Sequence, residues 1–343
     1  MITESFNNPG EGKFMKTIHK IAAALLFGTI SLPSFALDEL NIAYFLEWPS
    51  ANQVAQLEET FDKRMGLKVN WRSFDNGNAM TAAMLAGDID IAYSQGFVPF
   101  VVGVSKGADL KLIGVAMTYS ENDNCVANKS LDITQENAKT KLVGKRIGTP
   151  TGNVTHYKLL RMLDHLGVNK DDVRILSMSN ADASAAFVRG DVDMGCGFGG
   201  ALNRMKKEGS LIMTGAEQEA IGLKVFDIVS VTGDFAEKHP DVVRQFMQIT
   251  EDANLAYNRY PERFYSVLSK ASGMELEDTI DTLGKFTFLD KSEQLSTQWM
   301  LGGIQKFTKE VADFFVEQGQ LPRSLSQEQY DKTIDAGFLA EVR

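Results

Sequence analysis

Five short stretches hold residues able to grip a small charged molecule. In Glu47-Trp48-Pro49 a carboxylate stands beside an indole, a pair that suits a small cation through charge and a π face. Simple packing of Trp48 beside a solvated Glu47 accounts for the same residues. Ser94-Gln95-Gly96 leads into a helix at Phe97, where free N–H groups and the helix dipole favour an anion. There Ser94 would donate its hydroxyl and Gly96 would admit the ligand to the backbone. Asn153-Val154-Thr155 repeats the arrangement, with Asn153 and Thr155 as side-chain donors, so two opposed helix starts could clamp one anionic head group. The neighbouring His156 reads as a first-turn residue rather than a base. Phe198, inside the glycine run 195–200, is either a pocket wall or a core ring. Asp227 interrupts the apolar run Val225-Phe226-Asp227-Ile228-Val229. A carboxylate there must meet a cation or donors to offset its desolvation, and a ligand ammonium would serve.

Other chemistries find little support. The four histidines are scattered, the two cysteines (Cys125 and Cys196) form no Cys-x-x-Cys motif, and no nucleophile–base pair stands out. The glycine run lacks the strand–loop–helix context of a phosphate-binding motif. No metal site or cofactor is expected. A net charge of −10 argues against nucleic acid or an anionic membrane surface as partner. The two cysteines could pair in an oxidising compartment, but a chain this large needs no staple. They are therefore expected to be two small buried hydrophobes.

The elements that would position these residues alternate. Residues 40–45, 69–74, 89–93 and 110–116 read as strands, with helices over 51–65 and 79–85 between them. The pattern restarts with strands at 145–149 and 173–176 and helices at 155–166 and 181–188. Gly-Asp-x-Asp occurs at Gly87 and again at Gly190, each time between a helix and a strand. Two α/β modules imply two lobes facing across a cleft. A return strand over 226–231 follows, then helices at 240–256, 261–269, 275–284 and 296–318, with Ser292 as a cap. Residues 124–127 and 225–231 would form the two crossings of a hinge. The resulting expectation is an α/β chain with two mainly parallel sheets flanked by helices. Lobe 1 would hold residues 37–125 and 228–343, and lobe 2 residues 126–227.

The chain's beginning points to export. Lys16 and Lys20 precede an apolar run from Ile21 to Leu32, closed by Ser34-Phe35-Ala36. This reads as a signal peptide preceded by a short extension, with a mature protein beginning at Leu37 in the periplasm. No cysteine stands at the cleavage site, so no lipid anchor is expected. No later run is long and apolar enough to span a bilayer.

Several segments together carry a family resemblance: residues 69–75 with Gly77, 87–91, Thr155-His156-Tyr157, 189–193, and Asp234-Phe235-Ala236-Glu237-Lys238-His239-Pro240. The chain resembles the periplasmic binding proteins of ABC importers for taurine, within the wider group for aliphatic sulfonates and osmolytes. The resemblance implies a Venus-flytrap fold and a small zwitterionic ligand. It further implies a monomer that delivers this ligand to an ABC permease of the inner membrane. A sulfonate would lie at Ser94–Gly96 and Asn153–Thr155, and an ammonium at Asp227. Phe198 falls where the taurine proteins carry an aromatic residue. The bulk and acidity of Glu47-Trp48, and the carboxylates of Glu121-Asn122-Asp123-Asn124, would instead suit a methylated cation such as glycine betaine or dimethylsulfoniopropionate. Enzymes resembling thiamin-pyrimidine synthases share the fold, but this chain lacks their clustered cysteines. A ligand-sensing module would need the same cleft.

Overall fold

The computed structural model describes residues Leu37–Arg343, and the expected extension and signal peptide lie outside the described residues. Eleven strands form two sheets among them: β1 (Glu39–Phe45), β2 (Lys68–Phe74), β3 (Ile91–Gly96), β4 (Leu110–Tyr119), β5 (Asp123–Asn128) and β6 (Arg146–Thr149). The chain continues with β7 (Arg174–Ser177), β8 (Met194–Phe198), β9 (Gly209–Leu211), β10 (Phe226–Thr232) and β11 (Phe286–Thr287). The first sheet runs β11-β4-β10-β3-β1-β2 and the second β7-β6-β8-β5-β9.

Side-chain alternation makes β1 a two-faced strand. Leu40 and Ile42 pack into one core with Phe61, Ile91 and Phe246, while Ala43 and Phe45 enter the opposite core with Met80, Phe97 and Phe226. β3 is buried at every position, as a strand covered on both faces must be. β2 closes an edge and carries Lys68 and Arg72, charges that discourage further pairing. The repeated Gly-Asp-x-Asp does the same work in each lobe. Asp90 Oδ2 accepts the N–H of Asn41 in β1 at 2.8 Å, and Asp193 Oδ2 accepts that of Arg146 in β6 at 2.8 Å.

Several expectations need correction. Both sheets are mixed rather than mainly parallel: β10 runs antiparallel between β3 and β4, and β5 antiparallel between β8 and β9. Residues 124–127 and most of 225–231 lie inside β5 and β10, so the chain passes between the sheets at 120–122 and 212–225. Residues 123–125 therefore pair in the second sheet, and Phe226 and Asp227 in the first. The helix expected over 51–65 breaks at Glu59, which takes φ 53. The last long helix is Gly303–Glu317, and the cap near 292 is Asp290, which accepts the N–H of Glu293 at 2.9 Å. Cys125 and Cys196 are paired as a disulfide, being direct cross-strand partners in β5 and β8. Their separation of 71 residues hid a juxtaposition that only the antiparallel pairing creates.

Candidate functional site

The insertion of β10 between β3 and β4 builds one wall of the cleft. Asp227 stands opposite Gly96 at the end of β3, and β4 brings Tyr119 alongside. The Asp227 carboxylate is 2% exposed and accepts three side-chain donors. Trp48 Nε1 donates to Oδ2 at 2.9 Å, Ser94 Oγ to Oδ2 at 2.7 Å, and the Tyr119 hydroxyl to Oδ1 at 2.9 Å. Ser94 reaches it from φ 63, a backbone conformation costly for any residue with a Cβ. Burial pushes the Asp227 carboxyl up to about 7, against the pull of the three donors and with a further push from the charge of Asp123. Trp48 is itself wedged edge-on against Tyr119, Phe286 and Phe198, with ring centroids 4.9, 4.6 and 5.7 Å away.

A second wall comes from the other sheet. Asp123, the first residue of β5, is also 2% exposed. Thr155 Oγ1 donates to its Oδ2 at 2.8 Å. Three residues further along the same helix, Lys158 Nζ donates to the Ser120 carbonyl at 2.7 Å and to the Asp123 carbonyl. Asp123 Oδ1 is buried and has no partner. Burial raises the Asp123 carboxyl to about 6 and lowers the Lys158 ammonium to about 8, while each charge opposes the other's shift. His156 is pushed down to about 4 by burial and is neutral near pH 7. Its Nδ1 accepts the Gly152 N–H at 3.2 Å, a structural role.

Helix starts also reach the pocket, close beside the two carboxylates. The helices Gly77–Leu85, Phe97–Ser105 and Val154–His165 begin there, with Gly77, Gly96 and Val154 on its lining. Asn76 and Asn153 accept one first-turn N–H each, from Ala79 at 3.0 Å and His156 at 3.1 Å. The earliest N–H groups of each turn have no helical acceptor and can serve an anion. Gly96 marks the close approach of the two lobes: a Cβ there would lie 3.0 Å from Val154 Cγ2. The cavity left between these groups is small, about 20 Å³, and is partly open to solvent.

Of the residues expected from the sequence, Trp48, Gly96, Asn153, Val154, Thr155, Phe198 and Asp227 line this one pocket. Ser94 does not line it; its hydroxyl is engaged by Asp227 rather than aimed at an anion. Likewise the Thr155 hydroxyl is engaged by Asp123, which leaves the anion to backbone N–H groups. Gln95 lies behind the wall, donating to Thr81 Oγ1 at 2.7 Å and accepting from Ser230 Oγ at 2.6 Å. Glu47 sits at the rim, half-exposed, and pairs across the cleft with Arg204 at 3.3 Å. Asn78 makes a second rim contact, donating to the Thr151 carbonyl at 2.9 Å. Phe45, Gly77, Pro99 and Tyr119 also line the pocket without having been singled out from the sequence, and so does Asp123, one of the two carboxylates read near the first crossing. Asp123 had a readable signal, since it opens the apolar Cys125-Val126-Ala127 as Asp227 interrupts its own strand. Among the described residues no cluster of His, Cys, Asp or Glu could hold a metal ion.

Two α/β lobes joined by two crossings and closed over one small pocket define the fold of the periplasmic binding proteins. Solved structures agree on that fold. The alkanesulfonate-binding protein SsuA from Xanthomonas axonopodis pv. citri, bound to MOPS, superposes with a TM-score of 0.72 at 23% identity, over 87% of this chain and 98% of that one. The desulfurization enzyme DSZB superposes with a TM-score of 0.61 at 14% identity, over 88% and 98%, so the fold also carries enzymes. In sequence, the taurine-binding periplasmic protein of Escherichia coli (strain K12) is 30% identical over 276 residues, 79% of this chain and 84% of its own. The NMT1/THI5 like family model matches residues 53–263, and the chain belongs to that family.

Proposed function

We propose that this protein is an extracytoplasmic solute-binding protein that closes on taurine or a closely related small zwitterion and delivers it to an ABC permease. It would act as a periplasmic monomer without turning its ligand over. The observation that supports this reading is a pocket where the buried carboxylates Asp227 and Asp123 and three helix starts come together, each lobe supplying some of both. A molecule with an ammonium and a sulfonate a few bonds apart would meet both kinds of group and both lobes at once. Its differential affinity for the closed state would drive closure. The taurine-binding relative at 30% identity supports the same assignment.

A second reading has its own observation. Phe45, Trp48, Tyr119 and Phe198 line the same pocket as the carboxylates, and aromatic faces favour methylated cations such as glycine betaine or dimethylsulfoniopropionate. A thermal-shift screen decides between the two. Ligand at 100 times its Kd adds about 2.7 kcal/mol to stability. A shift with taurine but not with ethanesulfonate supports the zwitterion. A shift with only the methylated cations moves the assignment to an osmolyte receptor. Consumption of the bound ligand, followed by NMR, would replace both readings with an enzyme.

A further inference from the structure

We propose that Asp123 is a ligand-binding residue, and that its bare Oδ1 acts with Asp227 to select a cationic head carrying two or more N–H donors over a fully methylated one. The inference rests on the proposed solute pocket for the location of the cation, and not on the identity of the anion.

The geometry of Asp123 is held from two directions. Thr155 Oγ1 fixes Oδ2 at 2.8 Å, and Lys158 Nζ grips the backbone through the Ser120 and Asp123 carbonyls. With Oδ2 and the main chain both held, Oδ1 has little freedom to turn elsewhere. Asp123 is one of the pocket's lining residues, and its Oδ1 is buried and accepts from no protein group. Lys158 offers its charge from the backbone side without a hydrogen bond to that oxygen. A buried carboxylate oxygen left without a donor is costly, and native structures seldom leave one bare. The pocket's occupant is the remaining source of a donor.

Asp227 makes a matching demand. Its Oδ2 accepts from both Trp48 and Ser94, but its Oδ1 accepts only from Tyr119 and keeps room for one more donor. The two carboxylates therefore leave at least two acceptor positions in one small pocket. A primary ammonium has three N–H groups and can fill both; a trimethylammonium or a sulfonium has none. The aromatic ring of the pocket would accept either head by shape, so hydrogen bonding is what separates them. Sites built to bond an N–H reject analogues that lack it far more strongly than a change in size alone would produce.

Isothermal titration of the purified protein with two methylation ladders tests this. One ladder runs from taurine through its mono- and dimethyl forms to N,N,N-trimethyltaurine, and the other from β-alanine to its trimethyl form. The wild type is expected to lose at least about 100-fold in affinity from ammonium to trimethylammonium in whichever ladder binds. Asp123→Asn is expected to flatten that ladder to below about tenfold by weakening the ammonium form most. Asp123→Glu, which keeps the charge but moves the oxygens, should flatten it too and serves if the amide variant does not fold. Wild-type protein that binds the trimethylated form as tightly as the ammonium overturns the proposal. So does an Asp123 variant whose ladder stays as steep. If only the β-alanine ladder binds, the sulfonate reading fails while the head-group rule is still measured. Silence of both ladders overturns both.

Discussion

Asp227 on the first lobe's face is fixed by three side-chain donors, whereas Asp123 on the second lobe's face accepts one and keeps an oxygen bare. Both are equally buried, so the contrast comes from their partners alone. In the proposed function Asp227, held by three donors, would be a counter-charge oriented before any ligand arrives. Asp123, on the second lobe, would meet a ligand lodged against the first lobe only when the cleft closes. In that reading affinity and closure would draw on different carboxylates.

Removing the fixed charge should have the largest effect. Asp227→Asn is expected to weaken an ammonium ligand by about 3 kcal/mol, or about 100-fold, and a simple alkanesulfonate far less. Equal weakening of the two in calorimetry would end its role as counter-charge. Acidification tests both carboxylates together. Burial holds Asp227 near 7 and Asp123 near 6, so an ammonium must displace their protons at low pH. Affinity should tighten from pH 5.5 to 8 by about 30-fold if only Asp227 must lose its proton and by about 100-fold if both must, with proton release detectable by titration in buffers of different ionisation enthalpy. The stability sign follows. Because the folded-state values are raised, the unliganded protein holds protons that the unfolded chain has released, and its stability falls as pH rises from about 4 to 7. The ligand-induced rise in Tm should therefore grow over the same range; a flat profile would mean the carboxylates do not meet the cation.

Smaller changes sharpen the contrast further. Trp48→Phe keeps a ring but removes the N–H that orients Asp227 Oδ2, at an expected cost of about 1.5 kcal/mol, or about tenfold in Kd. An unchanged Kd would reduce Trp48 to a packing residue. The smallest effect is expected at the rim. The Glu47–Arg204 pair is half-exposed, with side chains 40% and 48% accessible. Glu47→Gln should cost less than about 1 kcal/mol, a loss that salt should mask. A loss as large as that of Trp48→Phe would place Glu47 in the recognition machinery after all.

The sequence carried the two-module plan plainly, because the alternation of elements and the doubled Gly-Asp-x-Asp are local patterns. Asp227 was legible for a physical reason: a carboxylate within an apolar strand demands a partner wherever the strand lies. Tyr119 was not, since the end of β4 looks like any buried strand until β10 is known to run antiparallel beside it. The same non-local pairing hid the disulfide and put Asp123 on the wrong side of the expected lobe boundary. Ser94 and Thr155 were expected to donate to an anion, and each donates instead to a carboxylate. A hydroxyl at a helix start suits an anion equally well as a carboxylate, and only the fold chooses between them.

The disulfide has a mechanical side. Cys125 and Cys196 pair two residues along from Asp123 and Phe198, which are themselves cross-strand partners. The strands bearing this charge and this ring are therefore welded next to the cavity and cannot slide past one another. In the proposed cycle they would leave the ligand together as one stiff plate when the cleft opens. Release would then be a single swing, like a shutter lifting, rather than a series of separate peelings.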